Sequence, residues 1–506
     1  MPQKTVNVTV SETKSVCPVC LKVTDAQKVY RDGSIFLEKQ CSEHGFFSVL
    51  IWEGSLESYK AWDRGSAEAD KAADGKDASS GCPYDCGLCK EHLRSACCVL
   101  LEVTDRCNLQ CPVCFASSEA GSSEEPSLGQ IRQIYRKLMK DAGHCNIQLS
   151  GGEPSLRDDL DEIIRIGREE GFTFFQLNTN GIRIASDIEY LYALKEAGLN
   201  CVYLQFDALS EEPYRILRGR DLLEVKQKAV DNCIKADIAV VLVPVIAEGI
   251  NDDQTGEIIM YAAQRLPHVR GVHFQPASRF GRYEIASSGH RLTIPSLLSG
   301  IEKQTGGKIK AEDFIGGGAE NSYCSFHASF TVLSDMEFKA SPSVSQDCCS
   351  ASSEQSRDAL ARQWTYEKDE SCCSAEEEAD SECCSSGDDE NDCCCAVQPG
   401  QEQCCCEDSQ TDDSSSCCSA EEESSCCTPA AETALYSADS LDQFLNDRKN
   451  RTLTVSGMFF QDACNFDLEK VKSCYICEIA ADGSLVPFCA YNLTDTDGNY
   501  LYRGKK

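Results

Sequence analysis

Apolar runs of strand length alternate with amphipathic helical stretches through the middle of this chain. One such stretch, DDLDEIIRIGREEG, places Ile163, Ile164 and Ile166 toward one side of a helix. Alternation at this spacing predicts an α/β fold, in which six parallel strands with helical crossovers form a partial or complete (β/α) barrel. The predicted strands are Cys98–Val103, Asn146–Leu149, Thr173–Leu177, Cys201–Phe206, Ile238–Ile246 and Gly271–Phe274.

The pattern changes on both sides of the predicted barrel. The N-terminal residues form a small β-rich module with its own cysteines, and a polar linker separates that module from a cysteine-dense segment. The predicted divisions are an N-terminal metal module at 1–66, an auxiliary iron–sulfur segment at 82–98, the core barrel at 99–285, a barrel extension at 286–342, an insert at 343–435 and a C-terminal auxiliary-cluster domain at 452–506.

The insert carries most of the unusual composition. Of the 35 cysteines, 16 lie between Cys348 and Cys427, and this stretch also accounts for about −20 of the net charge of −34. Serine, acidic residues and cysteine cannot form an apolar core, so we predict disorder in the metal-free state. Two interpretations stay open: an acidic thiol tail that binds soft metals or carries electrons, and a low-complexity insertion with little role.

The remaining charge and the apolar runs limit the location and the partners. The N-terminus lacks the apolar segment of a signal peptide, and no run of 18 apolar residues occurs. We therefore expect a cytoplasmic protein without a transmembrane segment, and leave peripheral membrane contact open. The acidic balance argues against a nucleic-acid partner. In a reducing cytosol, clustered cysteines indicate metal or redox chemistry before disulfides.

Two cysteine triplets share the spacing C-x₃-C-x₂-C. CPYDCGLC contains Cys82, Cys86 and Cys89, and CNLQCPVC contains Cys107, Cys111 and Cys114. Three thiolates leave one iron of a [4Fe–4S] cluster open. The second triplet follows the first barrel strand, which places it at the barrel mouth where active sites lie. The first triplet has Cys97, Cys98 or His92 nearby to complete an auxiliary cluster.

Together with LSGGEP after the next strand, the second triplet resembles the radical S-adenosylmethionine (SAM) enzymes. The resemblance implies a partial TIM-type barrel in which the three cysteines bind [4Fe–4S] and SAM chelates the open iron. It also implies anaerobic reductive cleavage of SAM to a 5′-deoxyadenosyl radical that abstracts hydrogen from an unactivated C–H bond. Residues implied to contact SAM or to line the substrate space are Gly151, Gly152, Glu153, Pro154, Asn178, Asn180, Gln205 and Asp207, with the loop at Asn251 on the adenine side. Val113 replaces the usual aromatic residue before the third cysteine, so Phe115 is the expected adenine cover.

Further cysteines predict more metal sites. Cys17, Cys20, Cys41 and His44 form two knuckles that suit zinc or rubredoxin-type iron. Cys464, Cys474, Cys477 and Cys489 predict a second auxiliary cluster, with Cys324 and His327 as competing ligands.

The ordered parts also resemble a narrower group, the tetraether-synthase-like radical SAM family, and within it the bacterial TrsS-type branch. That resemblance implies C–C bond formation on a lipid-like substrate, with a reductase or ferredoxin as electron donor. One relative of the group methylates a pterin, so methylation of a small molecule is the alternative. A non-catalytic iron–sulfur electron-transfer protein is the other alternative.

Overall fold

The structure is a computed structural model, and it describes residues 7–65, 79–87, 90–118, 125–285, 291–317, 320–341, 353–366, 450–480 and 482–504. All of them fall within one compact unit formed by Met1–Tyr366 and Gln443–Lys506. Cys89 and the 16 cysteines of the insert lie outside the described residues, so the predictions made for them stay predictions.

The N-terminal module is an antiparallel sheet of four strands in sequence order. Its elements are β1 (Val8–Val16), β2 (Val23–Arg31), β3 (Ser34–Cys41), β4 (Gly45–Glu53) and helix α1 (Leu56–Trp62). The Ser55 side chain accepts a hydrogen bond from the Ser58 amide and thereby caps α1. Trp52 of β4 then packs edge-on against Tyr59 of α1, with ring centroids 5.6 Å apart.

The remaining strands build a second sheet, apart from one short antiparallel pair formed by β6 and β13. They are β5 (Cys98–Thr104), β6 (Val113–Cys114), β7 (Asn146–Gly151), β8 (Phe175–Thr179), β9 (Cys201–Gln205), β10 (Ala239–Val243), β11 (Val245–Ile246), β12 (Val269–Pro276), β13 (Arg282–Tyr283), β14 (Ile315–Gly316), β15 (Ser325–Val332), β16 (Phe338–Ala340), β17 (Thr452–Met458), β18 (Ile476–Ile479) and β19 (Leu485–Pro487).

The six predicted barrel strands are present, and they pair in parallel in the order β5-β7-β8-β9-β10-β12. The predicted α/β barrel fold is therefore confirmed. One predicted strand, 238–246, is divided into β10 and β11, because Pro244 has no amide hydrogen to donate to a neighbouring strand.

Helices cover the outer face of this sheet, and the largest hydrophobic core lies between the two layers. They are α2 (Leu128–Ala142), α3 (Leu160–Glu169), α4 (Ile182–Ser186), α5 (Ile188–Ala197), α6 (Glu211–Arg218), α7 (Leu223–Lys235), α8 (Thr255–Ala263) and α9 (Ile294–Gln304). Ser127 and Gln130 form a reciprocal capping box at the start of α2. Short 3₁₀ turns occupy Pro154–Leu156 and Ala311–Asp313.

The C-terminal segment extends both edges of the barrel sheet. Strand β17 pairs in parallel with β12 at one edge, and β18 pairs in parallel with β5 at the other. The short helices α11 (Leu468–Lys472) and α12 (Phe488–Tyr491) flank β18. Tyr475, next to β18, lies close enough to Glu320, which precedes β15, for that carboxylate to raise the pKa of Tyr475 further than burial does. The sequence predicted a C-terminal cluster domain here, but did not predict that its strands join the barrel sheet.

Part of the predicted insert is helical. Residues Ser353–Trp364 form helix α10, which lies between α9 and α11 in the chain. Leu360, Ala361 and Trp364 recur at helical spacing and pack against the barrel strands. The expectation of disorder over 343–435 therefore does not hold for this stretch, which the cysteine-rich composition of its neighbours concealed.

Candidate active site

The loop after β5 carries the second cysteine triplet to a cavity of about 860 Å³ inside the barrel. Cys107, Cys111 and Cys114 all line this cavity. The Arg282 side chain donates a hydrogen bond of 2.7 Å to the carbonyl of Cys111. Because β13 also pairs with β6 at Cys114, the chain around residue 282 fixes the far side of the cysteine loop.

These three cysteines fit a cluster better than a single ion. Sulfur ligands of one tetrahedral zinc lie only about 4 Å apart. Among the described residues, the N-terminal knuckles alone gather three or more ligand atoms within 4.8 Å of one another, so the barrel cysteines are spaced more widely than one ion requires. Burial raises the pKa of Cys107 to about 12 and also raises the pKa of Cys111, so metal binding must displace protons there.

The Gly151-Gly152 turn clamps the start of the cysteine loop. A Cβ on Gly151 would lie 2.0 Å from the Thr104 carbonyl oxygen, and one on Gly152 would lie 2.3 Å from that of Arg106. The Gly152 amide donates to Thr104 at 2.8 Å, and the next amide donates to Arg106 at 2.8 Å. The glycines are therefore required by contact between this turn and the cysteine loop, in addition to any ligand contact.

The Glu153 carboxylate joins the ends of β7 and β8. It accepts hydrogen bonds from the Thr179 hydroxyl at 2.6 Å, from the Asn180 amide at 2.7 Å and from Ser155. Asn180 in turn donates from its side chain to Asn108 of the cysteine loop at 2.7 Å. Glu153 is only 1% exposed and lines the cavity, so this charge is fixed where a SAM ammonium group is predicted.

Asp207 has a different environment from the one predicted. Its two carboxylate oxygens accept from Arg218 of α6, both at 2.7 Å, and one also accepts from the Val245 amide at 3.0 Å. The resemblance implied that Asp207 lines the ligand space, whereas the structure pairs it with a buried arginine. Asn251, predicted on the adenine side, is likewise fully buried and donates to the Asp207 and Val245 carbonyls at 2.8 Å.

The sequence reasoning missed Arg218. Its positive charge also acts to lower the pKa of the Cys111 thiol against the effect of burial, so one buried cation lies between Asp207 and a predicted cluster ligand. The available signal was an acid at a strand end followed, after one short helix, by an arginine at the helix C-terminus. Positive charge beside a thiolate favours the anionic ligand and adjusts the properties of the metal site.

Lys226 of α7 was also missed. Its ammonium donates to the Asn180 carbonyl at 2.6 Å and to Gln205 at 3.3 Å. The side chain is fully buried, and this burial lowers the pKa of Lys226 to about 8. Lys226 thereby fixes Gln205, which faces the cavity as predicted.

Amide side chains line the interior of the barrel below the cysteines. Asn178 donates to Gln148 of the neighbouring strand β7 at 3.2 Å and accepts from Gln176 of its own strand, β8, at 3.0 Å, which links two adjacent strands. Gln205 and Gln275 line the same cavity. This amide belt, defined by the residues Gln148, Gln176, Asn178, Gln205 and Gln275, gives the chamber both donors and acceptors.

His273 and the predicted adenine cover also line the cavity. A ring nitrogen of His273, Nδ1, lies 2.9 Å from the Ser456 hydroxyl, and burial lowers the pKa of His273 to about 4. Phe115 lies with its ring centroid 5.6 Å from that of Phe488 and has the Arg503 guanidinium 5.7 Å away. Phe115 therefore has an aromatic and cationic environment at the cavity wall, where Val113 also lies.

The N-terminal knuckles form a compact metal site. The ligand atoms of Cys17, Cys20, Cys41 and His44 all lie within 4.8 Å of one another. His44 Nδ1 is 3.6 Å from the Cys17 sulfur and 3.5 Å from the Cys41 sulfur. A hydrogen bond from the backbone at Glu43, supported by His44, lowers the pKa of Cys41 to about 6, which favours a thiolate. The predicted metal site is confirmed.

The first triplet packs against the C-terminal segment. Cys82 and Cys86 are hydrogen-bonded side chains, and this contact lowers the pKa of Cys82, assisted by Lys472. Among the proposed fourth ligands, His92 already has its Nε2 atom 2.7 Å from the Cys474 carbonyl. Cys97 and Cys98 are buried with raised pKa values, and Cys98 faces the barrel cavity. With Cys89 undescribed, the fourth ligand stays open.

The C-terminal cysteines divide into separate places. Cys324 lies close enough to Cys474 and to Cys489 to raise the pKa of both thiols. The competing ligand Cys324 is therefore a neighbour of these two C-terminal cysteines. Cys464 instead lies beside the buried Asp462 and Arg291. Cys477 points into the core between sheet and helices, and Cys474 contributes to its raised pKa. Ligation of one cluster by the four C-terminal cysteines stays a prediction.

Comparisons with known proteins agree with this geometry. A family model described as the Radical SAM superfamily matches residues 101–262, and the HMPTM N-terminal zinc ribbon domain matches residues 9–53. A GTP 3′,8-cyclase of Pelotomaculum thermopropionicum is 30% identical over 239 residues, which cover 46% of this chain and 71% of that protein. The chain belongs to the radical SAM superfamily.

Two further similarities concern this radical SAM protein. A 7,8-dihydro-6-hydroxymethylpterin dimethyltransferase of Methanocaldococcus jannaschii is 44% identical over 307 residues. The match covers 60% of each protein, so the chain spans well under the full length of that relative. The crystal structure of Streptococcus suis SuiB bound to S-adenosylmethionine has 16% identity and a TM-score of 0.36, over 42% of this chain and 48% of SuiB.

Superfamily membership implies a [4Fe–4S] cluster and SAM as cofactors, and the zinc-ribbon match supports zinc at the N-terminal knuckles. Cys107, Cys111 and Cys114 are the residues that would hold the cluster. None of the helices in the described part of the chain is long and apolar enough to cross a membrane.

Proposed function

We propose that this radical SAM protein abstracts a hydrogen atom from a C–H bond of a reduced pterin, or a closely similar nitrogen heterocycle, for methylation. The hydrogen leaves in 5′-deoxyadenosine, and a methyl donor, with a further electron from the reductant, supplies the group that takes its place. The observation that carries the proposal is the amide belt across the barrel chamber. Gln148, Gln176 and Asn178 form a connected row on the two strands β7 and β8, and Gln205 and Gln275 continue the polar lining.

A pterin ring matches such a lining because its edge alternates N–H donors with nitrogen and oxygen acceptors. Amide side chains offer both kinds of group and can reorient to suit either edge. A hydrocarbon chain in the same place would offer nothing to the amide donors and acceptors that the protein does not already pair, at a cost of about 1–3 kcal/mol for each buried group left unbonded. The amide belt therefore favours the methylation alternative over coupling of lipid chains.

The similarity to the pterin dimethyltransferase supports the same choice. It extends over 307 residues at 44% identity, so it reaches well beyond the superfamily match at 101–262. The tetraether-synthase-like assignment rests on motifs alone. Coupling of a lipid-like substrate is thus the less supported reading of this site.

The roles of individual residues follow from their positions. A cluster on Cys107, Cys111 and Cys114 with SAM bound supplies reductive SAM cleavage to a 5′-deoxyadenosyl radical. Glu153 and the glycine turn hold the cysteine loop, and the barrel wall excludes water from the reacting atoms. A reductase or ferredoxin is the proposed electron source.

The test follows hydrogen from substrate to product under anaerobic conditions. Reconstituted full-length protein is incubated with SAM, dithionite and 7,8-dihydro-6-hydroxymethylpterin deuterated on the reduced ring. We expect deuterium in 5′-deoxyadenosine, and formation of 5′-deoxyadenosine that depends on the pterin. A parallel incubation with a deuterated lipid extract should transfer none. Transfer from the lipid, or none from the pterin, would contradict the proposal.

Variants connect the result to the amide belt. Gln148→Leu and Gln176→Leu should each raise the KM for the dihydropterin by about tenfold, because each removes one hydrogen-bonding group. Gln264→Leu is the matched control, since Gln264 is an exposed residue at the end of α8. Equal KM values in all three variants would remove the amide belt from substrate recognition.

A further inference from the structure

Helix α10 lies across the end of the barrel opposite the cysteines. The Asn146 side chain at the start of β7 donates to the Arg357 carbonyl at 3.0 Å, and Arg357 donates to the His144 carbonyl at 3.2 Å. Both contacts are made where the chain enters a parallel strand. The helix is therefore attached at the N-terminal ends of the strands, whereas the cysteine loop and Glu153 lie at the C-terminal ends.

One face of α10 closes the chamber. Ala359, Leu360, Gln363 and Trp364 line the cavity, and their spacing places them on one side of the helix. Arg362 is exposed on another side. The chamber thus has an end wall made from side chains of a segment that the barrel fold itself does not supply.

Trp364 is the largest side chain of this wall. It is 2% exposed and packs with Cys201 of β9 and with Val241 of β10. The ring of Tyr203 meets it edge-on at a centroid distance of 6.4 Å. At Gly271 of β12 a Cβ would lie 2.5 Å from the indole, so the strand has no side chain where the ring seats.

We propose that α10 is the floor of the substrate chamber and that Trp364 is a specificity-determining residue. Trp364 limits how far a substrate reaches below the amide belt, and so excludes molecules with long substituents. The choice of a pterin as the substrate class rests on the proposed function above. The claim that α10 closes the chamber rests only on the contacts of the helix.

The first test measures closure without any substrate. Full-length protein is treated with iodoacetamide, and the modification of Cys201 and Cys233 is read by peptide mass spectrometry. Both thiols are fully buried, but Cys233 lies in the core on the helix side of the sheet. In Trp364→Ala we expect Cys201 to become modified at least tenfold faster, with Cys233 unchanged. Arg362→Ala, on the exposed face, should leave both protected.

Protection of Cys201 in Trp364→Ala equal to that in the wild type would overturn the floor assignment. So would rapid modification of Cys201 in the wild type. Trp364→Leu, which keeps an apolar side chain, provides a second variant should Trp364→Ala not fold, and an intermediate rate is expected for it.

The second test measures specificity. The ratio of kcat/KM for 7,8-dihydropteroate, with its bulky substituent, to that for 7,8-dihydro-6-hydroxymethylpterin is compared among the wild type, Trp364→Leu and Arg362→Ala. Opening the floor should raise this ratio by about tenfold in Trp364→Leu alone. An equal loss with both substrates would show a merely structural role. If the wild type acts on neither pterin, the proposed function fails, while the alkylation test still decides whether α10 closes the chamber.

Discussion

The two best-defined cysteine sites of this protein differ in how completely the chain surrounds the metal. In the N-terminal sheet, two turns between antiparallel strands bring Cys17, Cys20, Cys41 and His44 within 4.8 Å of one another. At the barrel mouth, three more widely spaced cysteines border a cavity of about 860 Å³. The first site offers a complete tetrahedral set of ligands, and the second leaves room for a small molecule.

The surroundings of the two sites differ in the same sense. The N-terminal sheet is joined to the C-terminal segment by a hydrogen bond of 2.7 Å from Lys39 to the Ala463 carbonyl and by an ion pair of 2.8 Å between Lys28 and Asp467. These contacts hold segments together. The barrel cysteines are instead surrounded by the buried, charged residues Arg218, Glu153 and Lys226. Arg218 is paired with Asp207, and Glu153 and Lys226 both hydrogen-bond the backbone of Asn180. The comparison assigns stability to the first site and chemistry to the second.

The largest expected effect comes from breaking the barrel site. Cys111→Ala removes one of three cluster ligands, so 5′-deoxyadenosine formation should fall by on the order of 100-fold or more, and bound iron should fall by the content of that one cluster. Iron analysis and product chromatography measure both. Cys233→Ala, which removes a buried cysteine of the core, should keep its iron and activity. A Cys111→Ala protein that still cleaves SAM would assign the chemistry elsewhere.

The next effect concerns the buried pair beside that site. Asp207→Asn leaves the Arg218 cation buried without its carboxylate, which should lower the free energy of unfolding by about 3–5 kcal/mol. Denaturant unfolding measures this loss. Glu211→Gln breaks the exposed ion pair with Arg215 and should cost at most about 1 kcal/mol. Equal losses in the free energy of unfolding for the two variants would mean that the Asp207–Arg218 pair is not shielded from water at the barrel mouth.

A pH effect should distinguish the chamber from the surface. The pKa of His273 is lowered to about 4 by burial, against about 6.5 in the unfolded chain, so the unfolded state binds more protons between these values. This contribution is fully present above pH 6.5 and is lost as the pH falls toward 4, by about 3 kcal/mol at most. His273→Asn should remove that component from the pH dependence of unfolding. An unchanged pH profile would place His273 in contact with bulk water.

The smallest effect on chemistry is expected at the N-terminal site. Cys41→Ala should release the bound zinc and lower the thermal midpoint, yet leave 5′-deoxyadenosine formation within a few fold of the wild type. Lys22→Ala, which breaks only an exposed pair with Glu43, serves as the control with zinc retained. Loss of SAM cleavage in Cys41→Ala comparable to that in Cys111→Ala would erase the distinction between the two sites.

The barrel strands and both cysteine sites could be predicted because each depends on local sequence. Alternating apolar runs specify parallel strands, and short C-x₂-C and C-x₃-C-x₂-C spacings specify knuckles and strand-end loops. The cofactor class followed from those motifs in combination. Cytoplasmic location and the electron donor stay predictions.

What could not be predicted depends on contacts between distant parts of the chain. The pairing of β18 with β5 turns the Cys477 side chain into the core, although only two residues lie between it and Cys474 in sequence. The role of Arg218 depends on the packing of α6 against Asp207, and this contact could not be predicted from the sequence. Helix α10 was not predicted because the segments on both sides of it in sequence lack its helical spacing of apolar residues.

The central claim is that the chemistry occurs at Cys107, Cys111 and Cys114, where SAM completes the coordination of the cluster. The most direct measurement is the electron paramagnetic resonance spectrum of the dithionite-reduced, reconstituted protein with and without SAM. We predict that SAM shifts the signal of one [4Fe–4S] cluster in the wild type and in Cys41→Ala, and that this SAM-sensitive signal is absent from Cys111→Ala. A SAM-dependent shift that persists in Cys111→Ala, or none in the wild type, would contradict the account.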